Sequence, residues 1–103
     1  MPNEEFEVPL DSEGLNWLRA RYTTVNGQVV RFSVQYETVV DGKRQPLVRY
    51  DNAHGVPHRD LLNLDGSQAK LWFQGMSPGD AMTMGLQDLK RNWQRYRQEL
   101  WRD

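Results

Sequence analysis

The chain has 103 residues, a formal net charge of −1, 38% hydrophobic residues and no cysteine. That length makes one domain, and the missing cysteine excludes disulfides, zinc–thiolate centres and cysteine nucleophiles. No apolar run nears the roughly 20 residues of a membrane span, and the acidic start Met1-Pro2-Asn3-Glu4-Glu5 lacks the cationic head and apolar middle of a signal peptide, so a cytoplasmic protein without membrane contact is expected.

In chain order, residues 1–14 hold Glu4, Glu5, Glu7, Asp11 and Glu13 and no base, and read as an acidic arm ahead of a single domain over 15–103. The remainder has nine acids against thirteen bases, a formal +4, which suits a polyanion partner. Residues 15–25 read as a strand, with Leu18, Ala20 and Tyr22 on one side and Arg19 and Arg21 on the other. Asn26-Gly27 is a hairpin turn. Val30, Phe32, Val34, Tyr36 and Thr38 then alternate with polar residues at a period of two, the mark of a strand with one covered face. Asp41-Gly42 turns the chain into 43–51, where Pro46 demands an edge position or a bulge. Residues 58–63 and 67–73 form a last hairpin across Asp65-Gly66.

Ser77-Pro78-Gly79-Asp80 opens a helix, with Ser as N-cap and Pro at the first helical position. Met82, Leu86, Leu89, Trp93, Tyr96 and Leu100 recur at spacings of three and four, which makes one apolar stripe over a helix reaching about 101. The expected fold is α+β: an antiparallel meander of four or five strands with one long C-terminal helix packed on one face. The other face would then show Arg19, Arg21, Arg31, Gln35, Lys70 and Trp72. Bases interleaved with an aromatic suit single-stranded RNA, though an ordinary wet face or a homodimer surface has the same composition.

Chemistry concentrates in Arg49-Tyr50-Asp51-Asn52-Ala53-His54-Gly55-Val56-Pro57-His58-Arg59-Asp60, which contains both histidines of the chain. Cleaving RNA without a metal needs a base for the 2′-hydroxyl, an acid for the leaving oxygen and cations on the phosphate. His54 and His58 have the pKa range for acid and base. Asp60 would orient His58, Arg49 and Arg59 would grip phosphate, and Tyr50 would stack or donate a hydrogen bond. No metal or other cofactor is required by that scheme. Asp51, His54, His58 and Asp60 also have ligand chemistry for Zn²⁺ or Fe²⁺, at spacings that match no established motif. A purely structural turn, capped by Asp51 and Asn52, uses the same residues.

Arg49-Tyr50-Asp51-Asn52, Gly55 and His58-Arg59 resemble the Arg-Tyr-Asp-Asn, Gly and His-Arg-His elements of small bacterial and archaeal proteins that include the TumE-like toxins. The last His of that pattern is Asp60 here, and the resemblance spans about 30–65. It implies a toxin–antitoxin or defence setting with nuclease activity. The functional expectation is therefore a toxin-like RNA-binding domain, extended to a metal-independent ribonuclease by the His/Arg cluster. The competing expectation is a non-catalytic module that docks a cognate protein or a second copy of itself, using Trp17, Trp93, Tyr96 and Trp101.

Overall fold

The computed structural model describes residues 3–63 and 66–100. Alternating apolar residues and tight turns build six antiparallel strands in chain order: β1 Asn3–Pro9, β2 Asn16–Val25, β3 Gln28–Val40, β4 Lys43–Asp51, β5 His58–Leu62 and β6 Gln68–Trp72. Helix α1, Pro78–Leu100, follows. The class is the expected α+β, but the sheet has six strands rather than four or five. The additional strand comes from the acidic arm: Asn3 to Pro9 pair with Thr23 to Trp17 along the edge of β2. Glu7 there meets Arg19 at 3.4 Å and Arg44 at 2.5 Å, and the Arg44 bond is the main reason its carboxyl titrates below the usual range.

The two central turns are made by Asn26-Gly27 and Asp41-Gly42, each with positive φ at both positions, as a two-residue hairpin of matching twist requires. Pro46 sits beside a bulge: Tyr36 pairs Val48 and Glu37 pairs Pro46, so Leu47 is the extra residue. This is how a central strand accommodates a residue without an N–H.

Helix α1 begins as its first residues dictate, with Asp80 N–H donating to Ser77 Oγ at 3.1 Å. It lies on one face of the sheet. Ala81, Met82, Leu89, Tyr96 and Leu100 close over Leu18, Ala20, Phe32, Val34, Tyr36, Val48 and Tyr50 to form the core. Gly85 lets the backbone come close, because a Cβ there would lie 2.9 Å from the Tyr50 ring. The Trp93 ring lies tilted against Tyr36 at 6.0 Å between centroids, and Tyr96 is buried, so both contribute to the core. Trp17 is half-buried, bonded through Nε1 to the Gly14 carbonyl with the Arg44 guanidinium 4.6 Å above its ring. Trp101 lies outside the described residues. No helix among the described residues is long and apolar enough to cross a membrane.

Candidate functional site

The pleat of β4 and β5 divides the histidine-rich segment between two faces. Tyr50 pairs with Arg59, and both point toward the helix. Tyr50 is buried and its hydroxyl donates to Asp88 Oδ2 at 2.6 Å. Tyr96 donates to the same oxygen at 2.5 Å, while Arg59 Nη1 donates to the Tyr96 oxygen at 3.3 Å. Burial, reinforced by the Asp88 carboxylate, pushes both phenols upward. This polar cluster fastens α1 to the sheet.

Arg49, Asp51, His58 and Asp60 occupy the uncovered face. Cross-strand register makes them a quartet, Arg49 opposite Asp60 and Asp51 opposite His58. The two rows continue across the sheet. One runs Glu5, Arg21, Ser33, Asp51, His58, Trp72; the next runs Glu7, Arg19, Gln35, Arg49, Asp60, Lys70.

His58 is the best-fixed member, with 2% of its surface exposed. A carbonyl oxygen only accepts, so Nδ1–H donates to Val56 O, at 3.1 Å. Nε2 then faces Asp51 Oδ1 at 3.1 Å and Asp60 Oδ2 at 3.4 Å. Lys70 approaches the other Asp60 oxygen at 3.4 Å. Trp72 packs against the imidazole at 4.9 Å between centroids, and the exposed His54 ring lies 6.1 Å away, nearly parallel. The two imidazoles do converge, but one is an exposed cover and the other is enclosed beneath it.

The connection 52–57 is held by its own backbone chemistry. Asn52 extends the β3–β4 ladder with its side chain, accepting from Phe32 N–H and donating to Val30 O, both at 3.0 Å. Ala53 N–H donates to Asp51 Oδ1 at 3.0 Å, and Gly55, at φ 93°, bonds back to the Asn52 carbonyl.

Beside the quartet, a cleft of about 830 Å³ opens on the same face, with Arg21, Arg31, Arg49, Glu5, Asp51 and Ala53 in its wall. Arg49 is oriented by Gln35, to which its Nε donates at 2.9 Å. Arg21 and Arg31 have no hydrogen bond or ion pair among the described residues. By contrast, Arg19 and Arg44 are neutralised by Glu7 and the buried Glu37, at 2.5–3.5 Å.

The sites expected from sequence therefore separate. His54, His58, Asp60 and Arg49 come together on the uncovered face; Tyr50 and Arg59 lie beneath the helix, because residues one apart on a strand face opposite ways. Sequence reasoning missed Asp88, whose link to Tyr50 spans 38 residues, and did not join Arg21 and Arg31 to the cluster. The sequence carried no signal for this: the Asn26-Gly27 turn alone would set Arg31 opposite Tyr22, and a bulge between Thr23 and Thr24 shifts it opposite Thr23, diagonal to Arg21.

The fold and site define a six-stranded antiparallel meander with one helix and one charged, uncovered face. A family model described as a domain of unknown function, DUF7718, matches residues 1–102, and the chain belongs to that family. No curated protein and no solved structure matches it.

Proposed function

We propose that the chain is a toxin-like RNA-binding domain that takes single-stranded RNA on its uncovered sheet face. One observation carries the reading: Arg21 and Arg31 stand without partners among the described residues, in a cleft that Arg49 also lines. Guanidinium groups grip phosphate in a bidentate manner. Glu5 and Asp51 in the same wall can accept from the exocyclic amino groups of bases. Trp72, 46% exposed at the far edge, offers a ring for base stacking, with Lys70 at 5.1 Å from its centroid. The toxin-like character rests on the resemblance of the Arg49–Asp60 core.

Binding is favoured over metal-independent cleavage. That chemistry needs both imidazoles at the phosphate, whereas His58 is enclosed and its Nε2 already faces two carboxylates.

Fluorescence anisotropy with labelled single-stranded RNA tests the reading. Each phosphate contact contributes about −0.7 to the slope of log K against log salt. Replacing Arg21 and Arg31 together with Ala is expected to weaken binding and flatten that slope by about 1.4. RNA affinity and salt slope that the double variant leaves unchanged would remove the proposal. A protein inert toward RNA that always co-purifies with one partner would favour the docking-module alternative.

A further inference from the structure

We propose that Asp51, His58 and Asp60 form a binding site for a first-row divalent cation such as Mn²⁺ or Zn²⁺. This goes beyond RNA binding and stands or falls without it.

The geometry comes first. One ligand atom from each of the three residues lies within 4.8 Å of the others. A cation with bonds of about 2.1 Å separates adjacent ligands by about 3.0 Å at right angles and about 3.4 Å at tetrahedral angles. The Nε2 atom of His58 lies 3.1 Å from Asp51 Oδ1 and 3.4 Å from Asp60 Oδ2.

The hydrogen-bond chemistry points the same way. Nδ1 holds the ring proton against Val56 O, which turns the Nε2 lone pair toward carboxylates that can only accept. Three lone-pair donors converging on one point need a positive centre between them. Lys70 does not supply it, because its ammonium meets the outer oxygen of Asp60. That oxygen is buried and accepts no hydrogen bond.

The site is also built in advance. A metal-binding histidine commonly donates its second nitrogen to a backbone carbonyl, and a ligating carboxylate is held by hydrogen bonds. Val56 O and Ala53 N–H do this for His58 and Asp51. One nitrogen and two carboxylate oxygens suit Mn²⁺, Fe²⁺ or Zn²⁺. Ca²⁺ prefers six to eight oxygens, about twice what the three residues provide. The remaining coordination positions would belong to water, since His54, whose ring centroid is 6.1 Å from that of His58, is not one of the converging ligands. Asp51 is also in the wall of the arginine cleft, so a bound cation would sit at its border.

The competing occupant of the central point is a proton on Nε2, and the experiment separates the two. The full chain, stripped with chelator, is titrated calorimetrically with MnCl₂ and with ZnCl₂. The Mn²⁺-loaded protein is then examined by pulsed electron paramagnetic resonance for ¹⁴N coupling. One equivalent of metal is expected, with a directly coordinated histidine nitrogen. Asp51→Asn and Asp60→Asn should each weaken binding about 10- to 100-fold or more. Either substitution could unfold a buried site, so a surface variant provides an independent decision. The chain has two histidines, and in His54→Ala, whose side chain is exposed, the nitrogen coupling should persist because it arises from His58. The absence of stoichiometric binding of either metal would assign the point to a proton and overturn the proposal. So would loss of the nitrogen coupling in His54→Ala.

Discussion

The segment from Arg49 to Asp60 serves two regions that differ in what their polar groups are for. Beneath the helix, Tyr50, Arg59, Tyr96 and Asp88 bond to one another, with only the buried Nε of Arg59 left without a hydrogen-bond partner among the described residues, and α1 cannot leave without breaking those bonds. On the uncovered face, Asp51, His58 and Asp60 crowd three ligand atoms around one point, and the adjacent cleft displays Arg21 and Arg31, which have no partner among the described residues. Polar groups bonded to one another rigidify a fold, whereas charges left without partners are available to a ligand. The period of two along β4 and β5 allows one short motif to supply both regions.

The sharpest way to break this contrast is to attack the covered side. Tyr50→Ala removes a buried aromatic ring, which costs about 3–5 kcal/mol, while Tyr50→Phe removes only the hydroxyl and its bond to the Asp88 carboxylate, about 1.5–3 kcal/mol. Chemical denaturation measures both. Equal losses would mean that the ring contributes little and the hydroxyl nearly everything. Gly85→Ala is the subtler case. Alanine favours a helix interior by about 1 kcal/mol over glycine, yet its Cβ would lie 2.9 Å from Cγ of a ring that cannot swing away. Overpacking of that kind costs about 1–3 kcal/mol. Net destabilisation is expected, and a stabilised Gly85→Ala would show that the helix does not approach so closely.

Much of the frame was legible because it depends on local rules. Alternation over 30–38, the two Gly turns and the Ser77 cap needed no knowledge of distant residues. Strand β1 was missed although Phe6 and Val8 alternate with Glu5 and Glu7. Glutamate is depleted in strands, and the guanidinium groups that neutralise Glu7 belong to Arg19 and Arg44, far along the chain. The site was legible to the extent that period two rules it: His58 and Asp60 had to share a face. The enclosure of His58 was not legible, since Trp72 reaches it from another strand and His54 from the loop.

A smaller and slower loss is expected on the alkaline side. Burial raises the Tyr36 phenol from about 10 to about 12. Its folded value exceeds its unfolded one, so its contribution is complete below pH 10 and disappears as pH rises through 12. The urea midpoint followed against pH should fall over that window, in step with an ultraviolet titration of the tyrosines. Ionisation of Tyr36 near 10 in the native protein would contradict the burial that the fold assigns to it.

The smallest expected effect on stability is the one that separates the two kinds of arginine on the same face. Arg44 lies 2.9 Å from Glu37, whose side chain is only 5% exposed. Arg44→Ala removes that partner from an enclosed carboxylate, at a cost of about 1–3 kcal/mol. Arg21 and Arg31 have no partner to abandon among the described residues, so replacing them together should change unfolding free energy by no more than about 0.5 kcal/mol. The same double variant should lose RNA. Loss of stability comparable to that of Arg44→Ala would make the cleft part of the scaffold. Unchanged stability with lost binding leaves the two guanidinium groups with a ligand as their reason for facing solvent side by side.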